Sequence, residues 1–219
     1  MLLYSSGMLG LVCNDATSLS PSTQLDSLTL FTSTLDAGAA YGPVSVDEGA
    51  SLLATVSTVM LASSLTRNTS EISTRATMAS ASMDALNRLS VGLGTGMVPG
   101  QAAAVLVSGD VEIQAQVYDD LTSLDMNAGG DRSSNGFVMS SSGNISPDTL
   151  VCASLNRAQD NIYEGEILSA VLSLTLFDCE TNVELEYTDG DILIEMASSP
   201  ADGDDTECSY WDNEVQPYI

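Results

Sequence analysis

The 219-residue sequence contains no histidine and no lysine, and its five basic residues, all arginine, face 30 Asp and Glu residues, so that the formal net charge is −25. Clustered Lys and Arg neutralise nucleic-acid phosphates and anionic lipid headgroups, so a nucleic-acid surface and adsorption to an anionic membrane are both disfavoured. The absence of His and Lys also excludes a Ser–His pair, a Schiff-base lysine and a P-loop lysine. Catalysis would have to use carboxylates, thiols or hydroxyls, and we expect no catalytic residues and no enzymatic activity.

Charged residues are scarce, at 16% of the chain, whereas Ser and Thr together number 49. The net charge therefore comes from missing bases more than from added acids, unlike the carboxylate-rich surface of a salt-adapted protein. This composition is more typical of a secreted, glycan-bearing surface. The alternatives are an acidic haloarchaeal or viral envelope protein and, third, a carboxylate-based hydrolase. For the hydrolase, 1 Trp, 7 Tyr and 3 Phe would poorly supply a groove that grips sugars.

Long apolar runs are also absent, because no segment of about 18 consecutive apolar residues occurs. The first 13 residues, MLLYSSGMLGLVC, lack the basic region that opens a signal peptide. We therefore expect no direct membrane contact in this chain. A targeting signal would lie elsewhere, which favours a segment of a longer polypeptide.

The four cysteines are too widely spaced for a Cys-x-x-Cys metal knuckle, and no histidine can complete a zinc site. Disulfides are therefore the preferred interpretation. Cys152 and Cys179 lie in strand-like segments and could bridge each other, whereas Cys13 and Cys208 could pair together or with sequence outside this chain. Four reduced thiols in a cytosolic protein are the alternative.

Two N-glycosylation sequons begin at Asn68 and Asn144, and both fall in polar connections between predicted elements. A glycan at either position would stand in water. The sequons therefore agree with a secreted surface.

Two acidic loops contain candidate metal ligands. Asp189 and Asp191 lie in the first loop, and Asp202, Asp204 and Asp205 lie in the second. Their carboxylates could collect around calcium, which is the one cofactor that the sequence suggests. Neither loop matches an EF-hand, and ordinary solvated loops are the alternative.

The first part of the chain, up to residue 100, is predicted to be a helical subdomain. Thr23 is a candidate N-cap for a first helix, and Ser45 with Glu48 forms a capping box for a second. Apolar residues recur at steps of four and three between Ile72 and Leu86, which indicates a third helix. The glycine-rich segment from Val91 is expected to end it.

Residues 101–219 are predicted to form an antiparallel β-sandwich. Val111 to Tyr118 alternates apolar and polar residues, which indicates a strand with one face in water. The other predicted strands cover residues 103–108, 136–140, 149–153, 167–178, 183–187 and 191–196. The predicted fold class is therefore α+β, an N-terminal helical subdomain followed by a sandwich. Most of the charge lies in the second part, which carries 23 acids and 2 Arg after residue 109.

The stretch Cys208-Ser209-Tyr210-Trp211-Asp212 follows the last predicted strand. This stretch comes after a Ser-rich helical part and a strand-rich part. In this position it resembles the terminal segment of the GAIN domain, an extracellular fold of polycystin-type and adhesion-receptor proteins. The resemblance covers roughly residues 22 to 216. It implies that Tyr210 and Trp211 are core anchors of the last strands.

The resemblance also implies a function. GAIN-like domains are extracellular stalk or interaction modules, often on cilia, so the implied partners are other protein subunits of a cell-surface assembly. A lysine-poor, Ala/Ser/Thr-rich sequence is also compatible with an algal ciliary glycoprotein of the mastigoneme type. Self-cleaving members of the family use a histidine beside a hydroxyl nucleophile, and this chain has no histidine. We therefore do not expect autoproteolysis.

Overall fold

A computed structural model describes residues 19–39, 42–65, 72–128, 135–158 and 171–196. Its three helices are α1 (Pro21–Ala39), α2 (Val46–Leu65) and α3 (Ile72–Gly94). Its seven strands are β1 (Ala104–Ser108), β2 (Val111–Tyr118), β3 (Asp125–Asn127), β4 (Asn135–Met139), β5 (Val151–Ala158), β6 (Val171–Asp178) and β7 (Ile192–Met196). The predicted α+β fold is confirmed. The connection between α3 and β1 contains residue 100, where the sequence suggested a boundary.

The helix caps follow from local chemistry. The Ser45–Glu48 capping box is confirmed: the Glu48 amide donates to Ser45 Oγ at 3.3 Å, and the Ser45 amide donates to Glu48 Oε2 at 3.1 Å. The N-cap predicted at Thr23 is wrong, because Ser20 Oγ accepts from the Thr23 amide at 3.3 Å. Proline at position 21, the first helical residue, has no amide hydrogen to satisfy and therefore suits this start.

All strand pairings in the two sheets are antiparallel. The four-stranded sheet has the order β1-β2-β5-β6, and the three-stranded sheet has the order β3-β4-β7. β2 and β5 are the central strands of the larger sheet. Seven of the eight residues of β5 are buried, as expected for a strand covered on both faces.

Several element bounds differ from the prediction. α3 continues to Gly94, since helical hydrogen bonding tolerates two glycines in its last turn. β5 begins at Val151 and runs on to Ala158, because neighbours on both sides satisfy its backbone. Residues 183–187 make only one bridge, between Phe177 and Glu184, so the strand predicted there is wrong. The three-residue β3 was not predicted, since so short a segment has no recognisable alternation.

The molecule has three layers. α2 and α3 pack on one face of the four-stranded sheet, and α1 packs on α3. Apolar side chains from all three helices form a core with residues of that face, among them Leu106, Val111, Ile113, Ala115 and Ala158. This helix–sheet core holds the N-terminal helices against the β part.

A second core lies between the two sheets. It joins residues of the larger sheet with residues of β3 and β4, among them Val151, Leu155, Met126, Phe137 and Met139. The face of β2 that was predicted to be in water is covered at least in part, since its Tyr118 belongs to this second core, and that prediction is wrong. Tyr118 and Glu112, which belong to that face, are buried.

Candidate interaction surface

The first site that the sequence predicted is a disulfide. Cys152 at the start of β5 is bonded to Cys179, one residue beyond β6, with their Cα atoms 5.2 Å apart. The Cys179 amide donates to Leu150 O at 2.9 Å, which continues the pairing of the two strands. Gly94 lies against the bond, because a Cβ there would be 3.3 Å from Cys152 Sγ. The disulfide therefore links β5 to the residue that follows β6, at the end of the sheet that lies next to the C-terminus of α3.

Asn144 is exposed, as a glycan acceptor must be, but its carboxamide is already engaged. Its Nδ2, the atom that a glycan would occupy, donates to Glu186 O at 2.9 Å, and its Oδ1 accepts from the Thr188 amide at 2.7 Å. The Asn144 amide also donates to Thr188 O at 2.9 Å. The side chain thus anchors the loop after β4 to the segment before β7.

A second pair of contacts joins the loop after β4 to the segment before β7. The hydroxyl of Tyr187 donates to Ser141 O at 3.1 Å, and the Ser141 and Tyr187 hydroxyls lie 3.1 Å apart. Gly143 in this loop has a φ of +54°, a backbone conformation that favours glycine. The loop after β4 and the segment before β7 are therefore held together by hydrogen bonds from both Asn144 and Tyr187.

Asp189 and Asp191 are exposed, and Asp189 has a left-handed φ of +59°. Within the described parts of the chain, no group of three or more His, Cys, Asp or Glu side chains is placed to hold a metal ion. Asp202, Asp204 and Asp205, the ligands of the second predicted calcium loop, lie outside those parts. Cys13, Asn68, Cys208, Tyr210 and Trp211 also lie outside them.

A buried polar cluster, which sequence reasoning missed, lies between α3 and the four-stranded sheet. Asn156 on β5 is fully buried, and its Nδ2 donates to Asn87 Oδ1 at 2.5 Å. Ser90 Oγ donates to Asn156 Oδ1 at 3.0 Å, and Thr175 Oγ1 donates to Asn87 Oδ1 at 3.3 Å. None of these side chains carries a charge at neutral pH, so the cluster is suited to fixing how α3 sits on the sheet.

Glu112 and Arg157 form an ion pair on the other face of the same sheet. Arg157 Nη1 lies 3.9 Å from Glu112 Oε2, and their Cα atoms are partners in the β2–β5 register. Two buried atoms beside the pair, Gln114 Oε1 and Arg157 Nε, have no hydrogen-bond partner in the described segments. A pair this poorly solvated is not expected to add much stability.

The resolved pKa shifts all favour the charge state that each group has at neutral pH. Burial raises the pKa of Tyr118 to about 12. The amides of Glu180 and Thr181 donate to Asp178 and lower its pKa, and the Thr122 hydroxyl and amide lower that of Asp120. These three groups therefore do not exchange protons near pH 7.

β7 presents a surface feature that the sequence analysis did not predict. All five of its residues are exposed, although four are apolar: Ile192, Leu193, Ile194 and Met196. Such a strand at a sheet edge offers unpaired backbone groups together with apolar side chains. The sequence had predicted the strand but not its exposure.

None of the described helices combines the length and the apolar character needed to cross a lipid bilayer. No protein-family model matches the sequence, and a search of curated proteins finds no significant match. The function must therefore be argued from the residues themselves.

Proposed function

We propose that the protein is a non-catalytic extracellular module that serves as a structural or interaction unit within a larger cell-surface assembly. The observation that carries the proposal is the Cys152–Cys179 bond. Disulfides form and persist mainly in oxidising compartments, outside the cytosol. The composition, rich in hydroxyls and without lysine, agrees with that location.

The architecture suits a supporting role. α2 and α3 are held on the sheet by an apolar core, by the polar cluster at Asn156 and by the bond from Ser57 Oγ to Ser108 O at 2.9 Å. Arg88 of α3 also binds Asp36 of α1. Because the layers are joined by interactions of different kinds, the unit should resist deformation and proteolysis. Its ligands would be protein surfaces rather than substrates.

The finer assignment is a GAIN-like domain of a ciliary or other cell-surface glycoprotein, of the polycystin or mastigoneme type. It is supported by the resemblance at Cys208, Tyr210 and Trp211 and by the order of a helical part before two antiparallel sheets. The partners would be other subunits of the same extracellular assembly. Calcium at the acidic loops would be an accessory ligand.

Intact mass spectrometry of protein from its native source tests the proposal. The sample is alkylated with and without prior reduction, and with and without removal of N-linked glycans. We expect at least one disulfide without reduction, and glycan mass at Asn68 or Asn144. Free thiols at Cys152 and Cys179 together with bare asparagines would overturn the extracellular proposal.

Two variants separate the glycan from the anchor at Asn144. Ser146→Ala destroys the sequon but leaves the Asn144 carboxamide in place, whereas Asn144→Gln removes both the sequon and the contacts to Glu186 and Thr188. If the residue is an anchor only, Ser146→Ala should leave the mass of the secreted protein unchanged apart from the substitution itself, and should cost less stability than Asn144→Gln, because it removes only the exposed bond from the Asp148 amide to Ser146 Oγ at 3.4 Å. A loss of glycan mass in Ser146→Ala would identify Asn144 as an acceptor.

A further inference from the structure

β7 is hydrogen-bonded to β4 on one side and has no second strand beside it in the part of the chain that the structure describes. In the β4–β7 register Ile194 is opposite Phe137 and Ile192 is opposite Met139. Residues opposite each other share a face, so Ile192 and Ile194 point toward the interior between the sheets. Phe137 and Met139 are buried there, yet Ile194 is 53% exposed.

The position of β4 explains this exposure. β4 packs on β6, which is the edge strand of the larger sheet, and Met126 of β3 is fully buried. The two strands of the smaller sheet that precede β7 therefore lie over the larger sheet. Within the described residues, segment 183–187 lies on the outer side of β6, bridged to it at Phe177 and Glu184, and its Leu185 and Tyr187 pack against the core between the sheets. This cover is incomplete, because the inner residues of β7 remain between 38% and 53% exposed.

The part of the sequence that contains β7 carries charge of one sign. Residues 158–219 contain 16 Asp and Glu residues and no Lys, Arg or His. Three of these carboxylates, on the exposed residues Asp189, Asp191 and Glu195, lie within β7 or just before it. A second copy of the chain would bring the same negative charge to this edge and would be repelled. A segment that carries Lys or Arg would be attracted.

We propose that β7 binds an extended, basic segment of a partner protein, which adds to the three-stranded sheet as a fourth strand. This inference rests on the proposed function, since it gives the interaction module a docking edge. The backbone of the incoming strand bonds to the free edge of β7. Its alternate apolar side chains cover Ile192, Ile194 and Met196, while the Lys or Arg residues between them face the side of Leu193 and Glu195.

A synthetic peptide of about nine residues that alternates Lys and Val provides the probe. Its affinity for the full chain is measured by fluorescence anisotropy at about 0.05 M and about 0.5 M salt. The control peptide has the same charge but carries proline at two central Val positions, so that it cannot form a ladder. We expect binding of the first peptide only, and at least tenfold weaker binding at the higher salt concentration.

Two matched substitutions locate the binding edge. Ile194→Lys places a charge on β7, and Val107→Lys makes a similar change on β1, the edge strand of the other sheet, where Val107 is 67% exposed. Ile194→Lys should weaken binding at least tenfold, and Val107→Lys should leave it unchanged. If Ile194→Lys does not fold, Glu195→Lys serves instead, because it changes only an exposed side chain and should also weaken binding. Equal binding by both peptides, or equal effects of the edge substitutions, would overturn the proposal.

Hydrogen exchange and sedimentation test whether the edge of β7 is instead covered by another part of the same chain or by a second copy of it. In the free chain the β7 amides that are not bonded to β4 should exchange rapidly, and the peptide should slow them. Slow exchange in the free monomer would mean that residues 197–219 or another part of the same chain cover the edge, and a doubled mass would mean that a second copy does. Either result would overturn the docking edge, while the disulfide and glycan masses would still decide the extracellular role.

Discussion

Asn156 on β5 donates its side-chain amide to the carboxamide oxygen of Asn87 on α3, across the boundary between the helices and the sheet. The two residues are 69 positions apart in the sequence. Because a buried amide is poorly tolerated without partners, this contact favours one placement of α3 over other placements with equally good apolar packing. It also makes the polar cluster a sensitive point for measuring how the two layers are joined.

Ser90→Ala removes a buried hydroxyl whose two acceptors are Leu86 O at 2.9 Å and Asn156 Oδ1 at 3.0 Å. It leaves the buried Asn156 oxygen with only a distant contact to Ser154. We expect the free energy of unfolding to fall by about 1 to 3 kcal/mol. Ser33→Ala is the control, since the exposed Ser33 hydroxyl bonds only within α1, to Thr29 O. It should change stability by less than about 0.5 kcal/mol. Equal losses of stability for the two variants in urea unfolding would show that the buried cluster contributes no more to stability than an exposed hydroxyl.

Gly92→Ala tests a close approach between α3 and the residues before α2. A Cβ at Gly92 would lie 2.6 Å from Val44 Cγ2, so the substitution should destabilise the protein by about 1 to 3 kcal/mol. In a Val44→Ala background that methyl is gone, and the ordinary helix preference for Ala over Gly should make Gly92→Ala stabilising by up to about 1 kcal/mol. Thermal unfolding of the four proteins measures the change of sign. A stabilising Gly92→Ala in the original background would contradict the contact.

The capping box predicts a pH dependence. The Ser45 hydroxyl and amide lower the pKa of Glu48 below its ordinary value of 4.5. A carboxyl group with a lowered folded pKa contributes stability above its unfolded pKa, and loses it as pH falls through the folded pKa. Glu48→Gln should therefore be less stable than the natural chain at pH 7, and the difference should shrink below pH 4.5. A difference that is constant with pH would contradict a charged cap.

The disulfide makes a fourth prediction. The disulfide closes a loop with a sequence separation of 27, which should stabilise the fold by about 3.5 kcal/mol, so that reductant lowers the midpoint of thermal unfolding by roughly 7 to 14 °C. The double variant Cys152→Ala and Cys179→Ala should unfold at about the reduced temperature and should not respond to reductant. Cys13 and Cys208 are present in both proteins, so they provide the internal control. A similar response of both proteins would attribute the effect to those two cysteines instead.

Features that depend on neighbouring residues could be predicted from the sequence. The capping box needs only Ser45 and Glu48, three positions apart, and β2 needs only its alternation from Val111 to Tyr118. The pairing of Cys152 with Cys179 could be suggested because both follow strand-like patterns. The bonds from Asn144 to Glu186 and Thr188 could not, because a loop Asn gives no sign of a partner more than 40 positions away.

The amino-acid order alone determined that helices precede the antiparallel strands in the described parts of the chain and that the second part carries most of the charge, because periodicity, caps and composition act over a few residues. Only the tertiary structure decided which faces are covered. The second sheet buries Tyr118, which alternation had placed in water, and it leaves Ile194 exposed, which alternation would have placed in the core. Burial depends on how far one sheet extends over the other, and that is set by contacts between residues distant in the chain.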